Sequence, residues 1–169
     1  MGEQQGITPS RFDYDLSSCG LGRALDLLGE KWTLLVVREA FYGVRRFDEF
    51  AEALSCGRGV LSARLRTLSD GGVLERVDYQ VPGRRTRAEY VLTDKGLDLY
   101  TTILALTQWS DRWDPPPDGP AVIVRDRHTG RPVTVVMTST DTPTLTRSDL
   151  DVRPGPSARR TDLRSARGR

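Results

Sequence analysis

The segment from Leu54 to Leu92 constrains the fold more than any other part of the chain. Between Arg58 and Asp70, leucines at positions 61, 65 and 68 follow the i, i+4, i+7 spacing of a helix with one apolar stripe. Gly71 and Gly72 then favour a helix end. Two β-prone runs, 73–79 and 88–92, flank a Pro-Gly turn, which predicts a hairpin with a longer loop. A helix followed at once by such a hairpin is typical of a DNA-recognition helix and its wing.

The opposite face of this helix has the residue types that major-groove recognition needs. It carries Gly59, Ser62, Ala63 and Arg66, with Arg58 and Arg64 on its flanks. A recognition helix presents a narrow polar face to the groove while the preceding helix holds its apolar face. Arg66 and Ser62 are the candidates for base edges, because arginine can bond both acceptors of guanine and serine suits several bases. Arg58 and Arg64 are better placed for phosphates, which set the register without reading sequence.

The candidate wing tip is also basic, with Arg84, Arg85 and Arg87 positioned to reach phosphates or the adjacent minor groove. Any one of these arginines could instead be ordinary solvated surface. Their clustering favours DNA: residues 58–87 hold seven arginines against three acidic residues, a net +4, and residues 153–169 a net +5, within a whole-chain charge of +2. A GC-rich coding bias would explain arginine in place of lysine, but not the clustering.

The rest of the pattern predicts a mainly α protein with a small β wing, an α+β winged helix-turn-helix. Helical spacing indicates helices over 19–29, 31–42 and 47–54, and a last long helix capped by Thr93 and reaching Trp113. We expect a flexible arm over 1–17, the winged domain over 18–113 and a Pro-rich linker over 114–120. A small β-rich extension over 121–152 is expected to form a short hairpin from 122–124 and 133–136, and a basic disordered tail follows over 153–169.

Several classes of function find no support in the residues. No apolar run of about 18 residues and no cleavable leader is present, so we expect a cytoplasmic protein that does not bind membranes. The single histidine, His128, has no cysteine or second histidine near it, so neither a metal nor a cofactor is expected. Paired carboxylates, a Cys/His pair and a phosphate loop are all lacking, which argues against an enzyme. Cys56 is best explained as a small packing residue.

Five ordered blocks of residues match one known family. They are Cys19 thirteen positions before Trp32, Ala24 to Leu35, Arg46 to Phe50, Val60 to Leu65, and Glu89 to Gly96. The chain therefore resembles the HxlR-type winged helix-turn-helix regulators over roughly residues 19–113. The resemblance implies a homodimeric transcription factor, with the outer helices in the dimer interface, that acts on a pseudo-palindromic site in double-stranded DNA, most simply as a repressor. Some relatives carry a C-terminal extension with two Cys-Gly pairs that suggest a metal site, but this chain lacks those cysteines.

The resemblance also suggests how such a regulator could be switched. Several relatives sense oxidants or electrophiles through a cysteine at the position of Cys19, where the start of a helix would stabilise a thiolate. The alternative is a cysteine that only packs. Trp32, Trp109 and Trp113 lie on apolar faces, typical of core or dimer interface, and could also enclose a flat small-molecule effector there. A second hypothesis from another class is a small-molecule-binding or sequestering protein that keeps this fold without operator specificity.

Overall fold

The computed structural model describes residues 19–80, 87–138, 146–154 and 156. Its winged domain contains, in chain order, α1 (Gly20–Leu28), α2 (Lys31–Phe41), α3 (Phe47–Leu54), α4 (Arg58–Asp70), β1 (Leu74–Tyr79), β2 (Arg87–Leu92), α5 (Asp94–Leu97) and α6 (Leu99–Trp113). The C-terminal extension adds β3 (Val122–Asp126), a short 3-10 helix (Arg147–Asp149) and β4 (Leu150–Pro154). The predicted fold class, mainly α with a small β wing, is confirmed. The arm over 1–17 lies outside the described residues, as does most of the tail.

The core is built around α2, as its breadth of apolar residues predicts. Val36 and Val37 are fully buried, and they pack with Phe50 of α3 and with the leucine stripe of α4. Burying a side chain of this size stabilises a fold by about 1.5 to 3 kcal/mol. The core therefore fixes α3 and α4 relative to α2, which is the arrangement that a helix-turn-helix requires.

The wing is an antiparallel hairpin whose second strand also pairs, at a single position, with the segment before α3. β1 and β2 pair from Leu74 opposite Leu92 to Tyr79 opposite Arg87. The loop between α2 and α3 joins the outer side of β2, because the Tyr90 N–H donates to the Arg45 carbonyl at 2.8 Å. This contact ties the hairpin to the start of α3.

The predicted last helix is present as two segments that meet at Asp98. Thr93 caps the first as predicted, because its hydroxyl oxygen accepts from the Gly96 N–H at 3.1 Å. The backbone of Asp98 keeps helical dihedral angles, φ −61° and ψ −23°, so the interruption is slight. No helix in the described part of the chain has both the length and the apolar character needed to cross a membrane.

The C-terminal extension forms the predicted hairpin only in part, because the main partner of β3 is a later strand. β3 pairs along its length with β4, from Val122 opposite Pro154 to Asp126 opposite Leu150. Its contact with the predicted partner segment is short, with the Val133 N–H donating to the Val124 carbonyl at 3.0 Å. The expected turn does form, since the Gly130 N–H donates to the Asp126 carbonyl, and Arg125 and Pro132 make an isolated antiparallel bridge after it. β4 ends at Pro154, and the predicted domain bounds stay predictions.

Beyond its short contact with β3 at Val133, the valine segment over 133–136 lies against α6. The Gln108 side chain holds it at both ends: its Nε2 donates to the Val133 carbonyl at 2.8 Å, and its Oε1 accepts from the Val135 N–H at 2.8 Å. An amide that satisfies one backbone donor and one acceptor imitates a strand edge. The extension is thereby fastened to the winged domain.

Candidate nucleic-acid interface

Helix α4 has the two-sided character expected of a recognition helix. Leu61, Leu65 and Leu68 are at most 1% exposed and face α2 and α3. The opposite side is solvent-exposed at every predicted face position, and Arg64 on the flank is half-buried; the exposed positions are Gly59, Ser62, Ala63 and Arg66. The structure therefore brings the predicted face residues together on one surface while the core holds the back of the helix.

Arg58, at the start of α4, is engaged within the protein. Its Nη2 donates to Asp48 Oδ1 at 3.1 Å, and its guanidinium lies 4.7 Å from the centre of the Phe47 ring. The two side chains of this ion pair are 70% and 74% exposed, and an exposed pair of this kind contributes little in water. Arg58 is thus held at the junction of α3 and α4 by contacts weak enough for a phosphate to replace the carboxylate.

Arg46 is a residue of this region that the sequence did not single out. Its Nε donates to Glu89 Oε1 on β2 at 3.0 Å, and its guanidinium lies 5.0 Å from the ring of Tyr79 on β1. The bond to Glu89, followed by the interaction with Tyr79, raises the pKa of the Arg46 guanidinium, so it stays charged. One side chain at the start of α3 therefore holds both strands of the wing.

The wing itself is described only at its base. Arg87 is exposed and pairs with Tyr79 at the open end of the hairpin. Arg84 and Arg85 lie outside the described residues. The predicted role of the three wing arginines in contacting DNA stays a prediction.

The end of α4 is fixed by the start of α5. Lys95 Nζ donates to the Gly71 carbonyl at 2.7 Å, and the Thr93 hydroxyl donates to the Gly72 carbonyl at 2.6 Å. Gly96 approaches so closely that a Cβ there would lie 2.3 Å from the Val73 carbonyl oxygen. The C-terminal end of the recognition helix and the helix that leads into α6 thus form one connected unit.

The remaining predicted site residues, two cysteines and three tryptophans, lie on several elements of the fold. Cys19 is partly buried and stands at the N-cap position of α1, and Cys56 packs against the core in the turn before α4. Trp32 packs partly against the core with Lys31 Nζ 5.0 Å from its ring centre. The tryptophans at 109 and 113, by contrast, are 64% and 73% exposed on α6. The sensing role of the cysteine and the tryptophan ligand cavity stay predictions.

His128 lies in the turn that follows β3, with its Nε2 3.3 Å from Asp149 Oδ1. Hydrogen bonds from the Thr146 hydroxyl and backbone N–H, and then from His128, hold the pKa of Asp149 below its ordinary value. Across residues 19–80, 87–138, 146–154 and 156, no three His, Cys, Asp or Glu side chains come close enough to hold a metal ion. The contact is part of the local structure of the extension.

The comparisons with known proteins identify the family. The model of the HxlR-like helix-turn-helix family matches residues 27–118, from the end of α1 through α6. The chain belongs to the HxlR-like helix-turn-helix family. An HxlR-type protein of this kind is a DNA-binding transcriptional regulator, and the resemblance inferred from the five sequence blocks is confirmed.

Relatives and solved structures agree with this assignment. An HTH-type transcriptional regulator of Mycobacterium tuberculosis is 47% identical over 110 residues, which cover 65% of this chain and 68% of the relative. The crystal structure of PA1607, described as a transcription factor, matches with a TM-score of 0.65 at 36% identity and covers 79% of this chain and 92% of that one. A MarR-family regulator of Enterococcus faecalis matches with a TM-score of 0.50 at 29% identity over 62% and 94% of the two chains. All three are regulators, and none is described as an enzyme.

Proposed function

We propose that this HxlR-type regulator is a homodimeric, cytoplasmic repressor that binds a pseudo-palindromic operator through two α4 helices. The observation that carries the proposal is that α4 has two different sides. One side is a buried leucine stripe, and the opposite side exposes small residues and arginine. Such a helix can enter a major groove without losing its support in the core. Bound at a promoter, the dimer would exclude RNA polymerase.

Each candidate residue has a role that follows from its place in this surface. Arg66 and Ser62 would meet base edges, with Gly59 and Ala63 allowing the helix to approach the bases closely. Arg64 at the edge and Arg58 at the start of α4 would meet phosphates, as would Arg84, Arg85 and Arg87 on the wing.

The exposed apolar residues of the outer helices support the homodimer. Leu21 and Leu25 on α1 are 67% and 53% exposed, and Trp109 and Trp113 on α6 are 64% and 73% exposed. Apolar side chains of this size in open contact with water mark an interaction surface when they cluster. A second copy on these helices would set the spacing of the two recognition helices, which must match half-sites about 34 Å apart.

Relief of repression would act on that spacing. A small-molecule effector, or oxidation or alkylation of Cys19 at the start of α1, would alter the outer helices and so the distance between the two α4 helices. We expect Cys19→Ser to abolish any oxidant response while leaving DNA affinity unchanged. An oxidant response that persists in this variant would remove Cys19 from the account.

The proposal is tested by fluorescence anisotropy of the purified protein with its own upstream DNA and with a scrambled duplex, at several salt concentrations. We expect tight, salt-sensitive binding to the upstream DNA that Arg66→Ala weakens by at least about tenfold. Arg125→Ala is the matched control, because Arg125 is also an exposed arginine but lies on β3 of the extension, outside the family-matched region. Equal binding to scrambled DNA would instead favour the ligand-sequestering function.

A further inference from the structure

A cleft of about 230 Å³ lies between α1, the residue that precedes β1, and the α5–α6 segment. Its lining includes two buried residues, Leu28 and Val73, and its other apolar residues are Ala24, Leu27 and Leu99. Ligand pockets in proteins are commonly apolar concavities of about 300 to 1,000 Å³ with a few polar groups. At about 230 Å³ the cleft is slightly below this range, so its size and lining suit only a small molecule with an apolar body.

The polar side chains that line the cleft carry only positive charge. They are Arg23 on α1 and Lys95 on α5, and no acidic side chain of the described residues contributes to the lining. An ammonium group has three N–H donors, and the Gly71 carbonyl accepts from Lys95 Nζ at 2.7 Å. Two cations beside an apolar surface complement a molecule that has an apolar body and one anionic end, such as an aryl carboxylate.

Lys95 connects the cleft to the DNA-reading helix. The carbonyl that it binds belongs to Gly71, the residue that ends α4, and the Leu27 side chain in the cleft wall lies against the same glycine. A carboxylate in the cleft would compete with that carbonyl for the Lys95 ammonium, since charge-assisted hydrogen bonds between two ions are the stronger ones. Occupancy of the cleft would therefore loosen the end of α4.

We propose that this cleft binds a small carboxylate with an apolar body, and that the bound molecule lowers DNA affinity through Lys95 and the end of α4. The regulatory half of this proposal rests on the proposed function, whereas the binding half does not. The cleft residues of α1 are adjacent to, but distinct from, the exposed Leu21 and Leu25, so ligand and partner subunit use different parts of the helix.

Binding is tested by isothermal titration calorimetry with 2-naphthoate and with 2-naphthamide, which has the same body without the charge. We expect 2-naphthoate to bind at least about tenfold more tightly than the amide. Lys95→Gln should remove that preference, and Lys95→Arg should retain it. Lys31→Gln is the matched control, because Lys31 is the only other lysine of the chain and does not line the cleft. Ala24→Phe, at an exposed position of α1, should block both molecules.

Coupling is tested by repeating the upstream-DNA titration with saturating 2-naphthoate. We expect DNA affinity to fall in the wild type and to be unchanged in Lys95→Gln. Equal affinities for naphthoate and naphthamide, or an equal loss in the Lys31 and Lys95 variants, would overturn the ligand site. Lys95-dependent naphthoate binding with no effect on DNA affinity would overturn the regulatory half alone. A protein that binds naphthoate as proposed and shows no preference for its upstream DNA would refute the proposed function and leave the site in place.

Discussion

Replacing Gly96 with alanine tests the connection between α4 and α5 in a way that sets two physical effects against each other. In a helix, alanine is more favourable than glycine by about 1 kcal/mol, so propensity alone predicts a more stable protein. The added Cβ, however, would lie 2.3 Å from the Val73 carbonyl oxygen and 2.9 Å from a methyl group of Leu92. The first distance is about 1 Å shorter than an ordinary contact, and the atom that would have to move is backbone.

The steric effect is the larger of the two. Overpacking typically costs about 1 to 3 kcal/mol. Moving α5 outward would also weaken the hydrogen bonds from Thr93 and Lys95 to residues 71–73, each worth about 1 kcal/mol. Subtracting the gain in propensity leaves a net destabilisation of about 2 to 4 kcal/mol. For a chain of this length, that corresponds to a fall in Tm of roughly 5 to 15 °C.

The assay is thermal unfolding followed by far-UV circular dichroism, with Gly59→Ala as the matched control. Gly59 is also a helical glycine, but nothing lies within 4 Å of a Cβ at that position. We therefore expect Gly59→Ala to raise Tm by a few degrees, about what propensity alone predicts. If Gly96→Ala melted at or above the wild-type temperature, the close packing of α5 on the end of α4 would be refuted, and with it the route from Lys95 to the recognition helix.

Three further predictions concern the wing, its anchor and the extension. Substitution of Arg84 and Arg85 together by alanine should reduce the slope of log affinity against log salt by roughly 1.8, about 0.9 for each phosphate that the protein no longer neutralises; an unchanged slope would remove the wing from the interface. Arg46→Gln should lower Tm and reduce protection of the DNA flanks in a footprint, because both wing strands lose their contact with this side chain. The control Arg76→Gln breaks only an ion pair within β1 and should leave Tm and flank protection unchanged. The pKa of Asp149 is lowered in the folded protein, so its carboxylate stabilises the fold at neutral pH, and that stabilisation is lost as the pH falls through the folded-state pKa. Asp149→Asn should therefore reduce the difference in Tm between about pH 7 and about pH 3. An unaltered difference would contradict this assignment.

The parts of the fold that local pattern determines could be predicted from the sequence. The α4 bounds agree because the leucine spacing defines the helix and the two glycines end it, and the pairing of β1 with β2 follows from the short chain between them. The main partner of β3 could not be predicted, because β4 lies more than twenty residues away while a nearer valine run, which bonds to β3 only at Val133, has the composition of a strand. That run is held by Gln108 on α6, a tertiary contact without a local sequence signal.

The candidate site divides in the same way. The face of α4 was predictable because period and residue type together define it, and the structure exposes Gly59, Ser62 and Arg66 as expected. Arg46 was not found, since its partner Glu89 is 43 positions away and only the fold brings them together. A signal was available: Arg46 and Glu89 each lie in a block that matched the family. The cleft beside Lys95 likewise combines α1, Val73, α5 and α6, which no single stretch of sequence describes.

The central claim, that α4 reads DNA sequence, is tested most directly by measuring the affinity of the wild type and of Arg66→Ala for the operator and for each single-base-pair variant of it. The account predicts that one symmetry-related pair of positions discriminates between bases by about 1 to 3 kcal/mol in the wild type, and that Arg66→Ala loses this discrimination there and retains it elsewhere. A variant that bound every duplex more weakly by the same factor would show that Arg66 meets only the backbone, and it would contradict the assignment of α4 as the helix that reads the operator through this residue.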